Sequence, residues 1–436
     1  MAEASREGNS RVAQTLAEKI IAKAAGRSHV APGEIVTCRV DLAMMHDSGG
    51  PRRVAPILER LNAKVWDADR VVVATDHYVP AVDAESAAIL DLTRKWVKAN
   101  DVSRFHDMQG ICHVVLQENG HLSPGMFVVG GDSHSPSGGA IGCFMFGVGA
   151  TDMAGVLVTG ETWIRVPGTI QIRWSGQLAD GVSAKDMMLA TCARLGMGGG
   201  DYQVVEYSGE TISDLSMAER LTMCNMAAEL GAQTGIIAAD DKTADYVRAA
   251  GGEPGDYRIW RSDADAACLA VHDFNADDLT PQVAAPHSPA NSAGIETRAG
   301  QPVHQAYIGA CTGAKAEDLK MAARVLKGRK VADGVRLLVA PASTRTTAEA
   351  AADGTLATLT AAGAILMPTG CGACAGYGAG VLSENEVCIA STARNFKGRM
   401  GPGNSDVYLA SPYTVAASAV AGQIADPRDM LDGGGV

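Results

Sequence analysis

The chain repeats one local pattern five times, and this repetition limits what it can fold into. Each time, a short apolar segment with the character of a buried strand runs directly into polar or thiol side chains. Because ligands bind beyond the carboxyl ends of the strands in open parallel α/β sheets, we expect these five segment ends to converge on one site. The pattern therefore predicts an α/β fold with mainly parallel sheets. The five apolar segments lie at residues 70–75, 125–130, 304–309, 363–367 and 387–390.

The side chains after the first two segments pair a carboxylate with an imidazole. Asp76-His77 follows the first segment, and Asp132-Ser133-His134 follows the second. A carboxylate beside a histidine fixes the tautomer of the ring and raises its basicity, which is common at acid–base sites. The alternative interpretation is that these residues only cap strand ends and form turns. His46 and His113 are weaker single candidates of the same kind.

Three cysteines indicate a metal or cluster site. Cys371 and Cys374 are separated by two residues on a glycine-rich turn, and Cys311 follows an apolar segment upstream. A four-iron cluster usually takes four thiolates, so three would leave one iron open to water or substrate. An open iron is a Lewis acid that can bind a substrate hydroxyl and help it leave. A zinc site is the competing interpretation, although neither segment has a fourth ligand at a familiar zinc spacing, and buried structural thiols are another.

Two arginines and one helical pair complete the candidate residues. Arg394 and Arg399 can present guanidinium groups to carboxylates, and a salt-bridged loop is the alternative interpretation. Asn225 and Glu229 are four residues apart and so share one face of a helix, a spacing that is also common by chance.

Composition favours a globular protein from a reducing compartment. Of the 436 residues, 47% are hydrophobic and 20% are charged, and the formal net charge is −12. The acidic balance argues against a nucleic-acid-binding protein. Ten cysteines in so long a chain do not indicate a secreted disulfide scaffold. No apolar stretch reaches about eighteen residues, the length of a membrane span. We predict a cytoplasmic protein without a membrane partner.

A chain of this length is expected to form roughly two to four domains. We predict three α/β domains after a disordered lead at residues 1–9, with a frayed end at 432–436. Residues 273–300 lack periodicity and are rich in Ala, Pro, Asn and Asp, which predicts a linker. The three predicted domains cover residues 10–166, 167–292 with the linker, and 293–436.

Taken together, these residues resemble the aconitase superfamily, and within it the large subunits of isopropylmalate dehydratase and homoaconitase. The similarity runs over nearly the whole chain, and its motifs are specific in combination. They are Gly131-Asp132-Ser-His134, Cys224-Asn-Met-x-x-Glu229, Gly309-x-Cys311-Thr, Gly370-Cys371-Gly-x-Cys374 and Arg394-Asn-Phe-x-Gly-Arg399.

The resemblance implies a [4Fe-4S] cluster whose fourth iron binds the substrate, surrounded by three α/β domains. It also implies that the swivelling domain, with a catalytic serine base, belongs to a separate small subunit. The implied cluster ligands are Cys311, Cys371 and Cys374. The implied catalytic residues are Asp76, His77, His113, Asp132, Ser133, His134 and Glu229. The implied substrate-binding residues are His46, Asn225, Arg394 and Arg399.

Three segments depart from the pattern of this family. Thr312-Gly-Ala-Lys315 replaces the usual Thr-Asn-Gly-Arg, Ala393 replaces an asparagine, and His46-Asp-Ser-Gly-Gly-Pro51 is also unusual. The implied reaction is the reversible dehydration of a hydroxy di- or tricarboxylate such as isopropylmalate or a related 2-alkylmalate. Hydration of a smaller unsaturated dicarboxylate, such as citraconate, maleate or dimethylmaleate, stays open. So does a cluster-free regulatory or RNA-binding relative.

Overall fold

The computed structural model describes residues 12–431. The predicted disordered lead at residues 1–9 and the predicted frayed end at 432–436 lie outside this range. The described strands are β1 (Ile35–Arg39), β2 (Leu42–His46), β3 (Val71–Thr75), β4 (Arg104–Asp107), β5 (Phe127–Gly130), β6 (Phe144–Gly147), β7 (Glu161–Arg165), β8 (Thr169–Ser175), β9 (Val204–Ser208), β10 (Thr234–Ile237), β11 (Ala270–Asn275), β12 (Gln282–Ala284), β13 (Ser292–Gly294), β14 (Gln305–Ile308), β15 (Arg336–Val339), β16 (Ile365–Leu366), β17 (Val387–Ala390) and β18 (Asp406–Leu409).

Helices connect most of these strands. The described α-helices are α1 (Leu16–Ala24), α2 (Pro51–Leu61), α3 (Ala84–Ala99), α4 (Cys112–Glu118), α5 (Ala150–Thr159), α6 (Ala184–Leu195), α7 (Glu210–Asp214), α8 (Met217–Asn225), α9 (Asp241–Ala249), α10 (Ala316–Leu326), α11 (Thr344–Ala352), α12 (Thr355–Ala362), α13 (Pro412–Ala421) and α14 (Arg428–Leu431). Several begin at side-chain caps, as when Thr15 and Glu18 cap the backbone of α1 reciprocally.

The first sheet has the strand order β4-β3-β2-β5-β6, and all its neighbouring strands are parallel. Both β2 and β3 are buried along their whole length, as expected for the centre of a sheet covered on both faces. Strand β2 was not predicted, although its apolar residues run directly into His46. Strands β1 and β7 form a separate antiparallel ribbon.

The second sheet has the order β10-β9-β8-β11 and is also parallel. The third has the order β13-β12-β18-β17-β14-β15-β16, and its five strands from β18 to β16 are parallel to one another. Strands β12 and β13 continue this sheet in antiparallel orientation. One continuous apolar core joins the second and third sheets, and the first sheet has its own core on each face.

Two sequence predictions about local structure are wrong. The predicted linker at 273–300 contains the end of β11 together with β12 and β13, and the latter two extend the third sheet. Their hydrogen-bonding partners are distant in sequence, so the short segments show no periodicity of their own. The predicted buried strand at 363–367 is the two-residue edge strand β16, whose Ile365 and Leu366 are about half exposed. No helix within residues 12–431 is long and apolar enough to cross a membrane.

Candidate active site

The first carboxylate–imidazole pair lies at the carboxyl end of β3. His77 Nδ1 is 2.7 Å from Asp76 Oδ1, and Asp76 Oδ2 accepts a hydrogen bond of 2.8 Å from the amide of Cys112. Burial raises the pKa of Asp76, but the positive charge of His77 outweighs burial and holds that pKa below its usual range. Burial lowers the pKa of His77, but the charges of Asp76 and Asp47 raise it to about 9. His77 is therefore an imidazolium at neutral pH.

Asp47 is a second buried carboxylate at this pair, and the sequence analysis missed it. It accepts hydrogen bonds from the amides of His77 and Tyr78, at 3.1 and 2.9 Å, and its Oδ1 is 3.6 Å from His77 Nδ1. Asp47 directly follows β2, so the apolar run from Leu42 was the signal that would have revealed it. The charge on His77 is thus stabilised by two carboxylates.

His46 packs beneath His77 with both ring nitrogens occupied. The two rings are stacked, with centroids 4.3 Å apart and an interplanar angle of 20°. Nε2 donates to the carbonyl of Gly131 at 2.9 Å, and Nδ1 accepts from the amide of Gly49 at 3.3 Å. These contacts fix the neutral tautomer with hydrogen on Nε2, and burial together with the charge of His77 lowers the pKa of His46. The contacts favour a role in supporting His77, and the predicted substrate contact stays a prediction.

Asp132, the carboxylate of the other sequence pair, contacts two histidines. His113 Nε2 donates to Asp132 Oδ1 at 2.7 Å, and the backbone amide of His134 donates to the same oxygen at 2.7 Å. Burial raises the pKa of Asp132, but the hydrogen bond and charge of His113 outweigh burial and hold the pKa well below its usual range. Asp132 therefore remains ionised and orients His113 more directly than it orients the ring of His134.

The ring of His134 instead contacts Glu229, which is fully buried. Its Nε2 is 3.2 Å from Glu229 Oε1, and the same oxygen accepts a hydrogen bond of 2.6 Å from Arg394 Nε. Burial and the positive charge of Arg394 lower the pKa of His134, outweighing the opposite effect of Glu229. His134 is therefore neutral near pH 7 and donates from Nε2. Arg394 also donates from Nη1 to Ser133 Oγ at 2.9 Å, which connects two distant loops.

The three predicted ligand cysteines lie beside these groups. Cys311 follows β14, and its Sγ accepts a hydrogen bond of 3.1 Å from Asn225 Nδ2. The amide of Cys371 donates to the backbone oxygen of Asp76 at 2.8 Å, and its Sγ is 4.0 Å from Asp76 Oδ2. Burial raises the pKa of Cys374, and the charge of neighbouring Arg399 opposes this effect. Burial raises the pKa of all three thiols, and the donor on Cys311 and the positive charge beside Cys374 oppose this effect.

The three sulfur atoms do not form a preformed site for a single ion within residues 12–431. Within residues 12–431, two sets of ligand atoms lie within 4.8 Å of one another, one at His77 and one at His134, and neither set includes the three thiols. A zinc ion with bonds of about 2.3 Å would draw its sulfur ligands to roughly 4 Å from each other. Four buried polar atoms around the site also have no hydrogen-bonding partner among the described residues. They are Asn225 Oδ1, Glu229 Oε2, His113 Nδ1 and Arg399 Nε. The donor set and these unpaired atoms fit a cluster with a bound polar ligand.

The unusual segment after Cys311 is accommodated by its neighbours. A side chain at Gly313 would meet Ser391, because an added Cβ would lie 2.2 Å from Ser391 Oγ. Lys315 Nζ donates to the carbonyl of Cys311 at 3.0 Å and forms an ion pair of 2.6 Å with Asp318. These departures therefore support the turn that carries Cys311.

Comparison with known proteins shows which family the chain belongs to. The sequence pattern of the Aconitase family (aconitate hydratase) matches residues 18–303 and 293–422. The chain belongs to the aconitase family. It is 44% identical to the 3-isopropylmalate dehydratase large subunit 1 of Methanopyrus kandleri, over 96% of this chain and 100% of that protein. It is 42% identical to a probable methanogen homoaconitase large subunit from Methanothermobacter thermautotrophicus, over 97% of this chain and 100% of that protein.

These matches confirm the predicted similarity to the large subunits of isopropylmalate dehydratase and homoaconitase. They also confirm the prediction of an aconitase-type hydro-lyase. A solved structure supports the fold. The holo form of aconitase X from Thermococcus kodakaraensis matches with a TM-score of 0.51 at 14% identity, over 82% of this chain and 84% of that one. The predicted α/β fold with mainly parallel sheets is therefore confirmed. The roles of individual residues and the predicted domain boundaries stay predictions.

Proposed function

We propose that this chain is the large subunit of a [4Fe-4S]-dependent hydro-lyase for a hydroxy di- or tricarboxylate, such as isopropylmalate or a related 2-alkylmalate. Cys311, Cys371 and Cys374 would hold the cluster. One observation carries the proposal: three thiols from two loops meet beside a charged histidine and a neutral one, His77 and His134. Among relatives, the name 3-isopropylmalate dehydratase large subunit recurs.

The cluster, when bound, would supply an iron without a protein ligand that binds the substrate hydroxyl as a Lewis acid. His77 is suited to protonate the departing hydroxyl, because its ring carries a proton at neutral pH. Asp76 holds Nδ1 of that ring and leaves Nε2 as the proton donor. Asp47 holds the backbone of the same turn, so the ring keeps one orientation.

Arg394 is suited to bind a substrate carboxylate. Glu229 and Ser133 fix two nitrogens of its guanidinium group, and the side chain remains 17% exposed. Such a held and partly exposed guanidinium offers its remaining N–H groups to an anion without reorganisation. We further propose that Arg399 contributes to the same anion site, since its Nε is buried and has no hydrogen-bonding partner in the described part of the chain.

The carbon-bound proton must be removed by a base, and we propose that a separate small subunit supplies it on a swivelling domain. The large-subunit names of the relatives support such a partner. We also propose a reducing, cytoplasmic setting. All ten cysteines are free thiols, as expected for a protein that assembles a thiolate-bound cluster.

A second candidate is a hydratase of a smaller unsaturated dicarboxylate such as citraconate, maleate or dimethylmaleate. It is favoured by the loop of Arg394, where buried Ala393 takes the place of a polar side chain beside the site. This replacement removes a group capable of hydrogen bonding from the loop and leaves Arg394 and the thiols in place.

Reconstitution tests the proposed function. The chain is combined anaerobically with iron, sulfide and its small subunit, and hydration is assayed over a panel of unsaturated dicarboxylates. We expect turnover of 2-isopropylmaleate or a close relative only when both subunits are present. Preference for maleate or citraconate would select the second candidate. Full turnover by the lone chain would contradict the two-subunit proposal, and no turnover of any panel member by a cluster-loaded complex would contradict the reaction.

A further inference from the structure

Two buried lysines lie near Cys311, and only one of them has a carboxylate partner. Lys315 is 5% exposed and pairs with Asp318, as described above. Lys185, in the first turn of α6, is 2% exposed. Within residues 12–431 the structure places no carboxylate within ion-pairing distance of Lys185. A buried ammonium group without an adjacent carboxylate is costly, so this residue requires an explanation.

The hydrogen bonds of Lys185 reach the loop that carries Arg394. Its Nζ donates to the carbonyl of Thr392 at 2.5 Å and to that of Ser391 at 3.3 Å. These two residues lie between the end of β17 and Arg394. Lys185 therefore fastens α6 to the loop that presents the proposed substrate-binding arginine.

The same loop also forms hydrogen bonds with the turn that carries Cys311. Ser391 Oγ accepts from the amide of Gly309 at 3.0 Å and lies 3.1 Å from the carbonyl of Gly313, so it bridges the residues on both sides of Cys311. Thr312 Oγ1 donates to the carbonyl of Ser391 at 2.9 Å, and that carbonyl also accepts from Lys185. A displacement of Lys185 would therefore reach both Cys311 and Arg394.

Three of the groups whose negative charge acts on Lys185 belong to the site itself. Burial lowers the pKa of Lys185 to about 8, and the opposing groups are Glu229, Cys374 and Cys311. Cysteines lose their protons when they bind a metal, so these sulfurs become anionic in the loaded site. The ammonium charge is thus balanced best when the thiols hold their cluster.

We propose that Lys185 is a positioning residue that ties the loop of Arg394 to the turn of Cys311 and provides the positive charge that offsets the metal-bound thiolates. This inference rests on the cluster proposed above. It assigns two separable effects to one side chain: a tether made by its hydrogen bonds and an electrostatic contribution made by its charge.

Three variants of the full chain separate these effects. Lys185→Met removes the tether and the charge, Lys185→Gln keeps hydrogen-bond donors without the charge, and Lys185→Arg keeps the charge. Lys320→Met is the matched control, because Lys320 is half exposed and pairs with Asp353 on the surface. Each protein is loaded anaerobically, and cluster loss to an excess of a ferrous chelator is followed by visible absorbance. KM and kcat are measured with the small subunit present.

We expect Lys185→Met to lose its cluster about 10- to 100-fold faster than wild type and to show a raised KM, as for other residues behind metal ligands. Lys185→Gln should also lose the cluster quickly but keep a KM nearer to that of wild type. Lys185→Arg should retain the cluster better than either, and Lys320→Met should match wild type.

Cluster loss at the wild-type rate in Lys185→Met, or in Lys185→Gln if the Met variant does not fold, would overturn the inference. A wild-type chain that keeps its cluster in that experiment would leave the proposed function standing. A wild-type chain that takes up no cluster would instead overturn the proposed function and this inference together.

Discussion

The pairs Asp76-His77 and Asp132-His134 have nearly the same sequence pattern, but their histidines differ in charge. His77 is charged at neutral pH, and His134 is neutral. His77 faces two buried carboxylates, Asp76 and Asp47, and within residues 12–431 no other cation pairs with either of them. The ring of His134 faces Glu229, whose negative charge is already shared with Arg394. The pKa is consequently raised to about 9 at His77 and lowered at His134.

The difference shows that a carboxylate next to a histidine in sequence need not be its charge partner in space. Asp132 is occupied by His113 and by a backbone amide, so the ring of His134 relies on a residue 95 positions away. Two histidines with separated pKa values allow one site to contain both a proton donor and a neutral hydrogen-bond donor. We therefore propose that His77 is the proton donor and that His134 positions Glu229.

The largest expected effect on activity follows from replacing His77, the charged histidine of the two pairs. His77→Gln should lower kcat/KM by about 10²- to 10⁴-fold, the usual contribution of a general acid, with iron content unchanged. Activity of the reconstituted complex and iron per chain are the measurements, with exposed His29→Gln as the control. Near-normal activity in His77→Gln would remove His77 from the mechanism.

An intermediate effect on activity is expected from replacing Glu229, the carboxylate that contacts the neutral histidine His134. Glu229→Gln removes the charge that fixes Arg394 and leaves its partly exposed guanidinium group without its ion-pair partner. We expect a loss of about 10- to 100-fold in kcat/KM, mostly through a higher KM for the carboxylate substrate. If kcat falls instead while KM stays constant, Glu229 acts in the chemical step, and the contrast between the two pairs is incorrect.

The smallest expected effect is a shift in the pH profile. A histidine that acts as general acid must be in its imidazolium form, so kcat/KM should fall as pH rises through the pKa of His77, which is raised to about 9. Asp47→Asn removes one of the charges that raise this pKa, so the fall should begin at lower pH, with little change in the maximal rate. An unchanged alkaline limb would show that Asp47 only holds the backbone of the turn.

The sequence predicted those features that are local. Buried strands such as β3 were visible as apolar runs bounded by polar residues, and the thiols and acid–base candidates followed directly from their ends. Strand β16 was mispredicted, because its apolar residues lie at an exposed sheet edge and sequence alone does not show how many neighbouring strands will cover them.

Features that depend on distant partners were not predictable. Lys185 acts on carbonyl groups more than 200 positions away, and backbone carbonyls have no sequence signature. The charge of His77 depends on Asp47, from a neighbouring strand, and that of His134 depends on Glu229 and Arg394. Which carboxylate meets which ring is decided by packing between sheets, so the residues could be selected from the sequence but their charge states could not.

Metal analysis of the anaerobically purified chain tests most directly whether it holds a [4Fe-4S] cluster. Cys374→Ser is the paired variant. We predict about four irons and four sulfides per wild-type chain, the content of one [4Fe-4S] cluster. Cys374→Ser should lose both the EPR signal of the oxidised three-iron form and the activity of the complex. One zinc per chain and no sulfide, or full activity in Cys374→Ser, would contradict the assignment.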